Sequence, residues 1–147
     1  MSFEKAINLI EEFEGWDEKP YKDSVGKWTI GIGFATWGGS PVTEMTKPIT
    51  RQQGEDYLAK LLTALQAKID NAVTAPLNEN QNAALLSFCY NLGFYAFLGS
   101  AMFKMIQKMN YAGASEEFPK WCHAGGVELA GLKRRREAEK ELFDAPV

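Results

Sequence analysis

The stretch between residues 15 and 48 limits the possible folds most, because its pattern differs from that of both flanks. It holds much of the chain's Gly, Pro and Trp and lacks the apolar period of a helix. Within it, KWTIGIGF (27–34) alternates as a strand does. The apolar positions of this alternation are Trp28, Ile30, Ile32 and Phe34. DSVG (23–26) has Asp first and Gly fourth, as in a type I turn, so we expect a small β-hairpin lobe.

Both flanks have the apolar period of α-helices. Residues 2–14 are predicted to form an amphipathic helix, with Ser2 as its N-cap and Gly15 as its end. From Thr50 the pattern is helical almost to the C-terminus, and Thr50 with Gln53 forms a capping-box sequence. The core-facing positions that follow are Leu58, Leu61, Leu62, Leu65, Ile69 and Val73. Asn78 with Gln81 is predicted to open a further helix, which closes at Gly93. Two shorter helices are predicted from Ser100 to Met109 and from Ser115 to near Trp121. The last helix is predicted over GLKRRREAEKELF (131–143), where Leu132 and Leu142 are the side chains expected to point inward.

This order of elements predicts an α+β fold in one domain, residues 1–147. A small β lobe, about 15–48, would stand beside a larger helical lobe, about 50–147, that also includes the helix 2–14. Two lobes of such different composition imply a cleft between them, which is a favoured place for a ligand.

Composition narrows the class of protein. With 46% hydrophobic residues, nine Phe and four Trp, the chain has the apolar content of a folded domain. The formal net charge of −3 gives no general case for nucleic-acid binding. No apolar run reaches the length of a membrane span, and the acidic N-terminal helix fits neither a secretory signal nor a transit peptide. We therefore expect a soluble cytoplasmic chain without a membrane anchor, which needs another route for any export.

The two cysteines and the one histidine do not form a metal-site pattern. Cys89 and Cys122 each lie in apolar sequence and match no metal spacing, so we expect two buried free thiols, with a disulfide as the open alternative. His123 adds too few ligands for zinc, and a structural or exposed role is expected for it.

One acid of the first helix lies in an unexpected place. Phe3, Ile7 and Ile10 form an apolar stripe, and Glu14 extends that stripe by another turn. A carboxylate there is costly unless an arginine partner or a chemical step uses it. Burial raises the pKa of a carboxyl group, which is the property a general acid needs.

Two more polar residues are expected to face the same cleft. Asp23 stands at the hairpin turn, and Thr29 lies on a strand face that otherwise carries Gly31 and Gly33, where a bulky ligand could approach the backbone. Glycoside hydrolysis needs one protonated and one ionised carboxyl group, and a hydroxyl group can hold the water. Each residue also has a simpler explanation, since Asp suits the Asx hydrogen bond of a turn and Thr suits a strand.

These residues belong to a longer pattern, E-G-x5-Y-x-D-x2-G-x2-T-x-G-x-G, which runs from Glu14 to Gly33. Its Glu–eight residues–Asp–five residues–Thr spacing resembles the motif of the phage-type lysozymes (glycoside hydrolase family 24, the endolysins). AALLSFCYNLG, the KW…AGG segment at 120–126 and GLKRRREAEKELF extend the resemblance over nearly the whole chain.

The resemblance implies a lysozyme-like fold and hydrolysis of the β-1,4 bond between N-acetylmuramic acid and N-acetylglucosamine in bacterial peptidoglycan, which lyses the host cell. Glu14 would be the general acid, Asp23 would position or activate the water, and Thr29 would assist. No metal or organic cofactor is implied. The chain would act as a monomer, held in the host cytoplasm until a holin-type lesion releases it. The family is usually described as inverting, although some substitutions at the threonine position favour retention.

In the lysozymes that this chain resembles, an arginine of the last helix pairs with the catalytic glutamate. Arg135, within the basic run 133–136, is the candidate here, while the rest of that run is typical of a solvated helix face. Such a cation would oppose the effect of burial on Glu14. Candidates for lining the sugar sites are Tyr21, Gly31 and Phe34, with packing as the other role for Phe34.

Two other functions are weighed against hydrolysis. A non-hydrolytic peptidoglycan-binding module would not need Glu14, Asp23 and Thr29, so their joint presence argues against it. A lytic transglycosylase needs one acid/base carboxyl group but no water-activating Asp. One feature departs from the family: several relatives are basic, whereas this chain has a net charge of −3. Activity should therefore depend more on salt and local patches than on bulk attraction to an anionic wall.

Overall fold

The protein is mostly helical, with short antiparallel strand pairs, in a computed structural model that describes residues 3–147. The helices are α1 (Glu4–Glu14), α2 (Arg51–Ala72), α3 (Glu79–Leu92), α4 (Phe94–Leu98), α5 (Ala101–Gln107), α6 (Tyr111–Ser115), a 3-10 helix (Phe118–Lys120) and α7 (Ala130–Asp144). The strands are β1 (Asp17–Lys22), β2 (Trp28–Gly31), β3 (Thr36–Trp37), β4 (Ser40–Pro41), β5 (His123–Ala124) and β6 (Val127–Glu128). They pair in sequence as β1–β2, β3–β4 and β5–β6.

Helix α1 buries its apolar side against α3 and α7 of the helical lobe. It ends at Gly15, as predicted, because φ is +79° there and the Gly15 amide donates to Glu11 O at 2.8 Å. The predicted cap Ser2 lies outside the described residues. Phe3 occupies the cap position and its side chain accepts no capping hydrogen bond.

The β1–β2 hairpin turns at 23–26, as its sequence predicts. The Gly26 amide donates to Asp23 O at 3.0 Å, which closes the four-residue turn. Across the hairpin, Tyr21 is the partner of Thr29 and Lys22 that of Trp28. This pairing brings Tyr21 and Thr29 side by side near the turn.

The predicted strand over 27–34 is wrong beyond Gly31. The chain reverses at Ile32 and Gly33, and Phe34 then pairs back onto Ile30 through two backbone hydrogen bonds of 2.9 Å. Glycine makes the reversal possible, because Gly31 and Gly33 have φ of +67° and +79°. The small residues therefore do not form one flat strand face, although the apolar members of the pattern that follow Trp28 are all buried.

The predicted starts of helices α2 and α3 are confirmed. Thr50 and Asn78 each form both hydrogen bonds of a capping box, with Gln53 and Gln81. Helix α3 ends before Gly93, and α5 begins after Ser100, whose side chain accepts from Phe103 N. The local sequence decided these ends, since each cap side chain satisfies an amide of the first helical turn.

Other parts of the helical lobe differ from the prediction. Ser115 ends α6 instead of beginning a helix, because Asn110 is the cap and accepts from the Gly113 amide at 3.0 Å. Helix α4 and the short hairpin β5–β6 were not predicted. Leu61 is 36% exposed, so it is not a core position.

One apolar core joins the β lobe to the helices. It combines Ile30 and Ile32 with side chains of α1, α2, α3 and α5, among them Ile10, Leu58 and Phe88. Cys89 and Cys122 are buried free thiols, as predicted, and His123 is exposed. None of the helices in residues 3–147 has the length and hydropathy needed to span a bilayer.

Candidate active site

Glu14 lies at the last residue of α1 and is paired with an arginine of α7. Arg135 Nη1 donates to Glu14 Oε2 at 2.8 Å. The Glu14 side chain is 25% exposed, whereas that of Arg135 is only 4% exposed. A cavity of about 810 Å³ opens beside this pair, and its wall also includes Phe13, Asn91 and Leu132 but neither Asp23 nor Thr29. Glu14 is thus partly buried, with solvent access on one side.

The backbone of the β lobe reaches Glu14 at Gly33. A Cβ atom added to Gly33 would lie 3.0 Å from Glu14 Oε1, closer than ordinary van der Waals contact. The absent side chain therefore leaves room for the carboxyl group. Gly33 was predicted to admit a ligand, but in the structure its open side is filled by Glu14.

Asp23 stabilises the hairpin turn through one of its two carboxyl oxygens. Its Oδ1 accepts hydrogen bonds from the amides of Val25 (3.0 Å) and Lys27 (2.8 Å). Across the described residues no hydrogen bond to Oδ2 is found. The turn role and a chemical role are therefore compatible, because each uses a different oxygen of the carboxyl group.

Thr29 is 4% exposed, and its hydroxyl group donates its proton to a hydrogen bond within the hairpin. Its Oγ1 donates to Lys27 O at 3.0 Å. A hydroxyl group that donates to a carbonyl keeps its own lone pairs, so any further group that it binds must be a donor.

Tyr21 lies within the electrostatic reach of both candidate carboxyl groups. Burial, followed by the negative charges of Glu14, Asp17 and Asp23, raises the pKa of Tyr21. Thr29 is the cross-strand neighbour of Tyr21 in the hairpin. Because its pKa is raised, the Tyr21 phenol group stays neutral and can donate a hydrogen bond.

Gly31 and Phe34 are packed into the lobe instead of lining a groove. Phe34 is 3% exposed, and its ring packs edge-on to Tyr57 at 4.7 Å and stacks on Trp37 at 6.0 Å. A Cβ atom on Gly31 would lie 2.8 Å from the Phe34 ring. The tight turn after β2 folds this ring back over Gly31, so packing, one of the two roles expected for Phe34, is the role observed.

The sequence did not indicate Tyr90 as part of this region. Its hydroxyl group donates to Ile32 O at 3.2 Å, which ties α3 to the turn that carries Gly33. Burial and the charge of Glu14 raise the pKa of Tyr90, while the charge of Arg135 opposes that rise. Tyr90 therefore supports the loop that lies against Glu14.

Behind Arg135 is a buried polar cluster that was also missed. It contains Ser87 on α3 and Arg136 and Glu139 on α7, all three with 0% exposure. The basic run was predicted to be solvated apart from Arg135, which is wrong for Arg136. The helical phase of these residues was the available signal, because positions 135, 136, 139 and 143 share one face of α7 and Phe143 on that face is buried.

The arrangement is suited to acid–base chemistry on an uncharged bond. It offers a carboxyl group held by a cation, a second carboxyl group with one unengaged oxygen, and a hydroxyl group that accepts. Within residues 3–147, no three His, Cys, Asp or Glu side chains are grouped as a metal site would require.

Several known proteins are similar to this chain in sequence or in structure. The "Phage lysozyme" family model matches residues 11–139. The endolysin of Acyrthosiphon pisum secondary endosymbiont phage 1 is 34% identical over 146 residues, 97% of each protein. A solved endolysin from Escherichia coli O157:H7 phage FAHEc1 has a TM-score of 0.89 and 33% identity, covering 98% of this chain and 94% of that one. The muramidase domain of SpmX from Asticaccaulis excentricus has a TM-score of 0.78 and 31% identity, covering 96% and 95%.

Proposed function

The chain belongs to the phage lysozyme family, and from this membership we propose that it is a muramidase that cleaves the β-1,4 bond between N-acetylmuramic acid and N-acetylglucosamine. Family membership and the endolysin relatives support peptidoglycan hydrolysis and lysis of the host cell as its activity. The observation that supports the chemistry best is the Glu14–Arg135 hydrogen bond, in which a buried arginine holds a partly exposed carboxyl group.

Glu14 is the proposed general acid, which protonates the glycosidic oxygen as the bond breaks. Arg135 donates to Oε2, and no hydrogen bond from a described residue reaches Oε1, so Oε1 is the oxygen that can hold the transferable proton. Once the proton has left, the guanidinium group stabilises the remaining carboxylate through a charge-assisted hydrogen bond. The hydrogen bond from Arg135 can therefore form both before and after Glu14 has given up its proton.

Asp23 and Thr29 are the proposed site for the attacking water. Asp23 Oδ1 is held by two amides, which leaves Oδ2 to accept a proton from the water. Thr29 Oγ1 accepts the second water proton, because its own proton is donated to Lys27 O. Two acceptors fix both protons of one water and so direct its lone pair towards the sugar carbon.

We propose that the protein stays in the host cytoplasm as a monomer before lysis, and that it reaches the periplasm and the cell wall once a holin-type lesion has opened the membrane. The family membership and the endolysin relatives support release to the wall as the last step. Cells that express the chain should then lyse only after their inner membrane has been permeabilised.

The test is the substitution Glu14→Gln, with initial lysis rates measured on permeabilised Gram-negative cells. Because the amide cannot supply a proton, we expect the rate to fall by about two to four orders of magnitude while the protein stays folded. Glu4→Gln, at the other end of α1, is the matched control and should keep the parental rate. A folded Glu14→Gln variant that lyses at the parental rate would rule out the general-acid role.

Product analysis separates hydrolysis from the transglycosylase alternative. Mass spectrometry of digested glycan strands should find reducing ends, because water is the attacking group. If 1,6-anhydro ends dominate, the reaction is a lytic transglycosylation and the proposed water site is wrong.

A further inference from the structure

The ion pair at the active site continues into the interior as a row of alternating charges. Arg135 contacts Glu14 on one side and, through Nε, Glu139 Oε2 at 3.4 Å on the other. Glu139 in turn faces Arg136, whose Nη2 donates to Oε2 at 3.1 Å. Arg136 Nε lies 2.7 Å from Glu139 Oε1, close enough for an ion pair though not aligned as a hydrogen bond.

Every nitrogen of the Arg135 guanidinium group has an acceptor. Nη1 donates to Glu14, Nε donates to Glu139, and Nη2 donates to the carbonyl oxygen (3.3 Å) and hydroxyl oxygen (3.4 Å) of Ser87. The Ser87 hydroxyl group itself donates to Glu139 Oε2 at 2.6 Å. Arg135 is therefore held from three directions, and Glu139 and Ser87 provide two of them.

Glu14 cannot be the only anion for this buried arginine. As a general acid it must be protonated when the substrate binds, so its charge is absent at that stage. A buried guanidinium group without an anionic partner is strongly destabilising. Glu139 has 0% exposure and contacts two guanidinium groups, which favour its carboxylate form. It can keep Arg135 paired while the charge of Glu14 changes.

We propose that Glu139 is a positioning residue: with Ser87 it fixes Arg135 against Glu14, and its charge balances that of the guanidinium group that Glu14 contacts. This inference rests on the proposed function, because it concerns the arginine that holds the proposed general acid. Glu139 does not touch the cavity wall and acts only through Arg135.

Several groups face these two carboxyl groups. Glu139 is surrounded by Arg135 and Arg136 of α7 and by Ser87 and Cys89 of α3. Burial, and then the charge of Glu139, raises the pKa of the Cys89 thiol, so Cys89 stays neutral. Burial also raises the pKa of Glu139, with Arg136, Ser87 and Arg135 opposing that rise. Glu14 is faced by Arg135 of α7, Tyr21 of β1 and Tyr90 of α3.

The test is the pH profile of the lysis rate for Glu139→Gln. Removing one negative charge leaves the positive charge of Arg135 and Arg136 less balanced, which disfavours the binding of a further proton at the active site. We expect the alkaline limb of the profile to move by about one pH unit towards acid, with about a tenfold lower rate at a fixed pH on that limb. Asp144→Asn removes a charge from the same helix at the surface and should leave the limb in place.

A second variant keeps the negative charge at position 139 but shortens the side chain that carries it. Glu139→Asp retains the carboxylate but withdraws it from Arg135, so we expect the limb to stay at the parental pH while kcat falls several-fold with little change in KM. If Glu139→Gln does not fold, as judged by circular dichroism, Glu139→Asp decides the question. A folded Glu139→Asp variant with the parental rate at every pH overturns the inference.

Failure of this inference is distinguishable from failure of the proposed function. If Glu14→Gln is inactive and Glu139→Gln has the parental pH profile, Glu139 is only a structural partner of Arg136 and the proposed chemistry is unaffected. If Glu14→Gln keeps its activity, the proposed function itself is wrong.

Discussion

Asp23 belongs to two systems at once, the turn of the hairpin and the proposed water site. Asp23→Asn keeps an oxygen for the amides of Val25 and Lys27 but loses the charge. We expect its unfolding free energy to stay within about 0.5 kcal/mol of the parent. Its hydrolysis rate should fall by about two orders of magnitude, because the water loses its base.

Asp23→Ala removes both functions and provides the comparison. It should lose activity as Asp23→Asn does and, in urea unfolding, about 1 kcal/mol of stability as well, since two amides lose their acceptor. If Asp23→Asn lyses cells at the parental rate, Asp23 is there for its turn alone.

Gly33 affects Glu14 through the side chain that it lacks. In Gly33→Ala the new Cβ atom would lie 3.0 Å from Glu14 Oε1, and the carboxyl group must shift to make room. Because small displacements of a catalytic group are costly, we expect about a tenfold loss of lysis rate. Positive φ adds a backbone cost of about 1 kcal/mol, measurable by urea unfolding.

Gly39→Ala is the matched control for that prediction. Gly39 has φ of +82°, close to the +79° of Gly33, but nothing lies within 4 Å of its added Cβ atom. Both variants should lose similar stability, and only Gly33→Ala should lose activity. Equal activity losses in the two variants would mean that backbone strain, not contact with Glu14, is responsible.

The candidate site residues differ in how far the sequence could predict them. Glu14 was recognisable because a carboxylate in an apolar stripe is an exception that periodicity reveals. Arg136 and Glu139 were not, because a run of charged residues usually means a solvated face, and only the packed partner helix shows that theirs is buried. Ser87 and Tyr90 lie in an apolar run, where a hydroxyl group gives no local signal of its partner.

At the scale of elements, structure was predictable where local chemistry decides it. The capping boxes at Thr50 and Asn78 and the turn after Asp23 each satisfy their own backbone groups within four residues. The predictions failed where distant packing decides. The strand after Trp28 stops at Gly31 because the Phe34 ring folds back over that glycine, in contact with Ile49 as well.

Helix α7 shows why an amphipathic pattern can be misread. Its buried face carries two arginines and a glutamate beside Phe143, so most of the buried residues of this helix are polar. The cost of burying these groups is offset only because they pair with one another and with Ser87 and Glu14. Sequence periodicity counts apolar residues and therefore underestimates how firmly this helix is packed.

On the scale of the whole molecule, charge should oppose the encounter with its substrate. The chain has a net charge of −3, and the cavity beside Glu14 adds Glu12, Glu137 and Glu141 against Arg134. An anionic wall is then repelled, over about 30 Å at 0.01 M salt but only about 8 Å at 0.15 M. We expect the initial lysis rate of permeabilised cells to rise between these two salt concentrations.

A double substitution shows whether the cavity or the whole surface is responsible. Glu137→Gln with Glu141→Gln removes two charges from the cavity wall, and should raise the rate at 0.01 M and flatten its salt dependence, because local charges dominate at contact. Glu44→Gln with Glu79→Gln removes the same net charge from two other surface positions. This pair should leave most of the salt dependence of the lysis rate unchanged. If both double variants change the lysis rate equally, the net charge of the protein, and not the charge at the cavity, causes the repulsion. A rate that falls as salt is added would instead mean that attraction to a cationic patch governs the encounter.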